Sequence, residues 1–152
     1  MPEHHIVKVE IPALSEYVAV IRLAISGVAT RMHFNIEEIE DIKIAVSEAC
    51  TNVVQHAYPH QTDGKINLVA TLSDEKLDIA ISDSGKGFDA KNPVSDKQDG
   101  SNGVNFGLGL GLTFIRSLMD SSEIISEPNK GTTIRMTKNA PEKKVEEPLT
   151  NS

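Results

Sequence analysis

Residues 35–58, NIEEIEDIKIAVSEACTNVVQHAY, spell out one long amphipathic helix from its first cap to its break. Asn35 can accept a hydrogen bond from the free amides of a first helical turn. Glu38, three residues on, can return one to the cap, which completes a capping box. Phe34 and Ile39 flank that cap at the spacing of a hydrophobic staple. Ile39, Ile42, Val46, Ala49 and Val53 recur at helical spacing and predict the buried stripe. The helix is expected to run to about Ala57, where Tyr58-Pro59 breaks it. Beside the stripe, Glu48 and Asn52 stand one helical turn apart and share a face.

Working outward, His5–Ile11 alternates, with Val7, Val9 and Ile11 on one side, and predicts a strand closed by Pro12. Ser15–Arg31 returns to helical spacing through Tyr17, Val18, Ile21, Ala24, Ile25 and Val28. Downstream, a turn at Thr62-Asp63-Gly64 opens two alternating runs, Ile66, Leu68, Ala70, Leu72 and then Leu77, Ile79, Ile81. A short Ser73-Asp74-Glu75 connection makes them an antiparallel hairpin. Phe88–Phe106 is polar, lacks a period and has the length of a functional lid. Leu108–Met119 is helical in spacing, and Ser122–Glu127 and Thr132–Thr137 form a last strand pair turned at Pro128–Gly131.

The order β-α-α-β-β-lid-α-β-β bunches helices and strands. It predicts an α+β, two-layer α/β sandwich: a mixed, mostly antiparallel sheet with helices on one face. Residues 1–139 are read as one domain and residues 140–152, a polar run, as a disordered tail.

Composition narrows the function classes. The chain has 152 residues, enough to bury a sizeable core without a disulfide or metal staple. Its 15 Lys and Arg stand against 22 Asp and Glu, and a net charge of −7 disfavours a phosphate-backbone partner. Trp is absent and aromatics make up 4%, which disfavours a base-stacking platform for single strands. Cys50 is the single cysteine, so neither an internal disulfide nor a cysteine metal cluster is available. No basic run followed by an apolar stretch opens the chain, and no window approaches the ~20 apolar residues of a membrane span. A cytoplasmic, soluble protein without a direct nucleic-acid or membrane partner is expected.

Three short motifs carry candidate chemistry. In the first, Glu48 and Asn52, a carboxylate can orient a nucleophile and a neutral amide oxygen suits a hard cation such as Mg2+. The same pair also occurs on ordinary solvated helix faces. The second, Asp83-Ser84-Gly85-Lys86-Gly87, follows a predicted strand. Its carboxylate can accept from an exocyclic amine, and its glycines allow close backbone approach, although Asp/Gly turns are common. The third is Gly107, Gly109 and Gly111, which open a helix at a propensity cost of ~1 kcal/mol each. Bare amides at a helix N-terminus can cradle phosphate oxygens. Neither the dinucleotide fingerprint nor a Walker loop is present.

Together, E-x-x-x-N on a helix, D-x-G-x-G after a strand and G-x-G-x-G after a polar lid resemble the N, G1 and G2 boxes of the GHKL ATPase/kinase superfamily, whose ATP site is the Bergerat fold. Over about Val7 to Lys138, the runs EYVAVIRLAISGVATRMHFNIEEIEDIKIAVSEACTNVVQHAY, GLGLGLTFIRSLMD and GTTIRMTK are similar to its serine-protein kinases that double as anti-sigma factors in Gram-positive bacteria.

The resemblance implies ATP/ADP and Mg2+ as cofactors. It implies Glu48 as general base, Asn52 as the direct Mg2+ ligand and Asp83 as acceptor of the adenine amine. Gly85 and Gly87 would shape that pocket, Gly107, Gly109 and Gly111 would hold the triphosphate, and Thr132 would support Asp83. His56 lies one turn beyond Asn52 and is more often inert at such a position, while Lys86 reads as a solvated charge. The implied partners are a sigma-B-type sigma factor, an anti-anti-sigma protein as phosphorylation substrate, and a second copy of the chain in a homodimer. A sporulation-type anti-sigma kinase and a non-catalytic ATP-dependent binding module are the alternatives.

Overall fold

The computed structural model describes residues 4–56, 64–84 and 112–141, except for the side chains of His56 and Glu127. The chain enters on β1 (His5–Pro12), turns once in a 3-10 helix over Ser15–Tyr17, and continues into α1 (Val18–Arg31) and α2 (Ile36–His56). A hairpin follows, β2 (Lys65–Leu72) and β3 (Lys76–Ser82), then helical residues 112–118, here α3, and the last pair β4 (Ser121–Glu127) and β5 (Gly131–Asn139).

The capping box predicted for α2 is formed. The Glu38 amide donates to Asn35 Oδ1 at 2.7 Å and the Asn35 amide donates to Glu38 Oε1 at 2.8 Å. At its head, His33 takes a positive φ of 66° in the turn from α1, and Phe34 behind the cap is buried. The start of the preceding helix differs from the reading: Ser15–Tyr17 winds as a 3-10 turn and Tyr17 remains partly exposed. No side chain caps that turn, so the first residues tighten to shorter-range bonds.

The sheet has the order β1-β2-β3-β5-β4, and all four pairings are antiparallel. Alternate residues Ile66, Leu68, Ala70 and Leu72 on β2, Leu77, Ile79 and Ile81 on β3, and Ile134 and Met136 on β5 are buried. They join Ile21 and Ile25 of α1, Ile42, Val46 and Ala49 of α2, and Ile115 of α3 in one core. The helices therefore cover a single face, as the pattern of alternation requires. The opposite face carries Thr71, Asp78, Thr137 and Arg135, with Thr137 Oγ1 donating to Asp78 Oδ1 at 2.7 Å.

Polar contacts fix how the layers meet. Arg22 Nε donates to Ser47 Oγ at 2.9 Å and ties α1 to α2. Lys138 Nζ donates to the Leu118 carbonyl at 2.7 Å at the end of α3, where a cation is favoured by the free carbonyls. Ala140 donates its N–H to the Glu75 carbonyl at 2.9 Å, so the chain stays paired one residue past β5. The lid and the greater part of the expected tail lie outside the described residues.

Candidate functional site

Two groups of polar side chains meet the helix-covered side of the sheet. The first is on α2. Its core stripe, Ile42, Ala45, Val46, Ala49 and Val53, is almost wholly buried and sets the rotation of the helix. With Ser47 held from α1 by Arg22, Glu48 is left half-buried and Asn52 only 8% exposed, one turn apart. The Asn52 Nδ2 group is buried and makes no hydrogen bond. An unmade bond at a buried amide costs roughly 1–3 kcal/mol, so folding alone gives no reason for this residue here.

The second group lies where β3 ends. Ser82 pairs with Thr133 in the ladder, which sets Asp83 opposite Thr132, and the Asp83 N–H donates to the Thr132 carbonyl at 3.0 Å. Asp83 continues the alternation of Ile79 and Ile81, and Thr132 that of Ile134 and Met136. Both thus fall on the face that the helices cover, and Asp83 is buried. The tight approach depends on Gly131, whose φ is +89° and whose missing β-carbon would overlap the Asp83 carbonyl oxygen. The two strands come this close only because residue 131 has no side chain.

The sequence reading missed Ser126. It is buried on β4 opposite Thr132, with its Oγ 2.7 Å from Thr132 Oγ1. The available signal was parity: Ser126 alternates with Ile124 on an inward-facing strand position. Arg22, to which the spacing of the first helix assigns no role, holds Ser47 from α1. Cys50 sits in the core, where burial pushes its thiol up to about 12 and the nearby Arg22 guanidinium offsets part of the rise. Such a thiol packs and does not react at neutral pH.

Glu48, Asn52, Asp83 and Thr132 are thus placed. Gly85, Gly87, Lys86, Gly107, Gly109 and Gly111 lie outside the described residues, as does the His56 side chain. Among the described residues no three His, Cys, Asp or Glu side chains gather to hold a metal. The residues present nevertheless fit a metal–phosphate group at Asn52. Its orphaned N–H2 requires an acceptor, and its amide oxygen is of the hard neutral type that ligates Mg2+.

The family model of the histidine kinase-like ATPase domain matches residues 11–138, and the antiparallel sheet with helices on one face agrees with that class. Solved structures share the fold. The RsbU and RsbW domains of a Mycobacterium tuberculosis protein superpose at TM-score 0.65 with 20% identity, over 90% of this chain and 33% of that one. The histidine kinase domain of a blue-light activated kinase from Erythrobacter litoralis gives 0.55 with 21% identity, over 86% and 62%. Curated relatives are more similar in sequence. Serine-protein kinase RsbW of Bacillus cereus is 42% identical over 92% of this chain and 88% of its own length. That of Bacillus pumilus is 42% identical over 88% and 85%. The chain belongs to the RsbW family of serine-protein kinases, and it is a protein serine kinase built on an ATP-binding domain.

Proposed function

We propose that this kinase is also an anti-sigma factor. It holds a sigma-B-type sigma factor away from transcription and phosphorylates a serine of a small, RsbV-like anti-anti-sigma protein. The names of the curated relatives support this reading, and so does one observation in particular. A buried amide with an unmet donor, Asn52, stands one turn from the half-buried carboxylate of Glu48.

In this reading Asp83 accepts from the adenine amine, and Thr132 supports it from the neighbouring strand. Gly85 and Gly87 border the base, and Gly107, Gly109 and Gly111 hold the triphosphate with their amides. Asn52 ligates Mg2+, which when bound offsets the phosphate charge that otherwise repels an incoming hydroxyl. Glu48 orients the substrate serine and takes its proton as the serine oxygen bonds to the terminal phosphorus. The bond to the bridging oxygen breaks, and ADP leaves with its electron pair. Positioning supplies most of the rate. ATP and ADP bias which partner is held only as far as each contacts the two partner-bound states differently. A homodimer in the cytoplasm, with residues 1–139 as the folded domain, completes the reading.

Transfer of labelled phosphate from Mg-ATP to the anti-anti-sigma partner tests it. Glu48→Ala is expected to keep nucleotide and sigma binding while transfer falls by at least about a hundredfold. Transfer near the wild-type rate would remove Glu48 from its role. Nucleotide binding with no transfer by the wild type would leave a binding module instead.

A further inference from the structure

Near its end β5 carries a residue that the strand register does not explain. Lys138 pairs with the buried Leu77 and alternates with Ile134 and Met136, so it falls on the face that the helices cover. Its side chain is only 13% exposed. Parity asks for an apolar residue there, and a methionine would follow the same path without taking a charge out of water. The ammonium ends instead at the seam between two helices. It donates to the Leu118 carbonyl at the close of α3, at 2.7 Å, and stands 4.0 Å from Asp41 Oδ2 in the second turn of α2. An ion pair that long, with a partly exposed carboxylate, adds little to stability. Its effect is geometric.

The start of α2 and the end of α3 thus meet at one ammonium. Further bonds fix that end of α3. The Asp120 N–H donates to the Thr137 carbonyl at 2.9 Å, and Asp120 Oδ2 accepts from the Asn139 N–H at 2.7 Å. Along its length α3 buries Ile115, partly covers Leu112 and Leu118, and leaves Phe114 exposed. From the ammonium the two helices run in opposite sequence directions. Asn52 lies eleven residues further along α2, about 16 Å away, and α3 runs back to residue 112, directly after Gly111 in the sequence. A tilt of about 5° at the ammonium carries a point that far along by roughly 1.4 Å, and placement errors near 1 Å are costly at a reacting group.

We infer that Lys138 is a positioning residue for phosphate binding: by holding Leu118 and Asp41 together it sets the angle between α2 and α3. The inference rests on the reading above, in which Asn52 on one helix and the glycines before the other hold opposite sides of a Mg-triphosphate. The adenine end is held by β3 and β5 and does not depend on that angle. Loss of the ammonium therefore weakens the hold on phosphates and spares the hold on the base.

Titration of the full chain with Mg-ATP by calorimetry, and with adenosine by NMR, tests it. Lys138→Met is expected to weaken Mg-ATP binding about tenfold and to leave adenosine within twofold of wild type. Lys138→Arg, which can donate to the same carbonyl and face the same carboxylate, should restore Mg-ATP binding to within about threefold. Asp41→Asn should cost about threefold alone and nothing further beside Lys138→Met, since the two act through one contact. Mg-ATP binding within twofold of wild type in Lys138→Met overturns the inference. So does an equal loss for adenosine, which marks a lysine that serves only the fold. Should the methionine variant fail to fold, Asp41→Asn decides, and a change in Mg-ATP affinity below about 1.5-fold overturns the inference. Failure of the underlying reading looks different: the wild type binds neither Mg-ATP nor adenosine, or Asn52→Leu binds Mg-ATP as the wild type does.

Discussion

Gly131 and Asp83 meet so closely across β3 and β5 that a β-carbon at residue 131 would overlap the Asp83 carbonyl oxygen and stand 2.9 Å from Ser84 Cα. The contact joins conformation to site. At φ +89°, residue 131 is in a region that costs an L-residue about 1–2 kcal/mol even in open space. Backbone overlap adds to it, because neither strand can shift without breaking the bond between Asp83 and Thr132. Gly131→Ala should lower unfolding free energy by about 2–4 kcal/mol and weaken ATP binding as Asp83 moves. Urea denaturation measures the first and calorimetry the second. A loss below about 0.5 kcal/mol would mean that the strands separate easily.

The capping box at Asn35 and Glu38 can be tested without touching the site. Its two bonds, 2.7 and 2.8 Å, satisfy one free amide of the first turn and tie the cap back to it. Asn35→Ala should cost about 1 kcal/mol, and Glu38→Ala less. Because the bonds are reciprocal, the double variant should cost less than the two singles added. Additive losses would show two independent interactions.

These elements also show what the sequence makes legible. The α2 cap, its core stripe and the alternation of β2 and β3 are local patterns, with partners a few residues apart, so spacing reveals them. The pairing of Asp83 with Thr132 depends on β5 lying beside β3, and 48 residues separate the two in sequence. Spacing alone cannot show that, although resemblance to a known family did suggest it. Ser126 escaped both routes, since an edge-strand serine acquires meaning only once Thr132 is found opposite it. The 3-10 start of the first helix escaped because apolar spacing reports which residues are covered and not how tightly the chain winds.

Cys50 gives a prediction in pH. Burial raises its thiol to about 12 from an ordinary 9.0, so the folded protein favours the neutral form. The stability it contributes is full below pH 9 and is lost as pH rises from there toward 12, because the unfolded chain ionises first. Between pH 9 and 11 the wild type should lose stability relative to Cys50→Ala, as followed by denaturant midpoints. At pH 8 a thiol reagent should label native Cys50 only as fast as the core opens. Immediate labelling of the native protein would place the thiol at the surface.

Asn52 offers the sharpest separation of folding from function. Its Nδ2 is buried and unbonded, so the ligand-free protein carries an unmet donor that an apolar residue of similar shape would not. Asn52→Leu should therefore hold or raise the stability of the nucleotide-free protein, by up to about 1 kcal/mol, since it removes a desolvated group and keeps the volume. The same change removes the amide oxygen available to Mg2+ and the N–H2 available to phosphate. Mg-ATP affinity should consequently fall at least about tenfold, and the thermal shift that nucleotide confers on the wild type should shrink with it. The two effects have opposite signs, which a residue kept for packing cannot produce. If Asn52→Leu destabilises the free protein by several kcal/mol while binding Mg-ATP as before, the amide serves the fold and the nucleotide lies elsewhere.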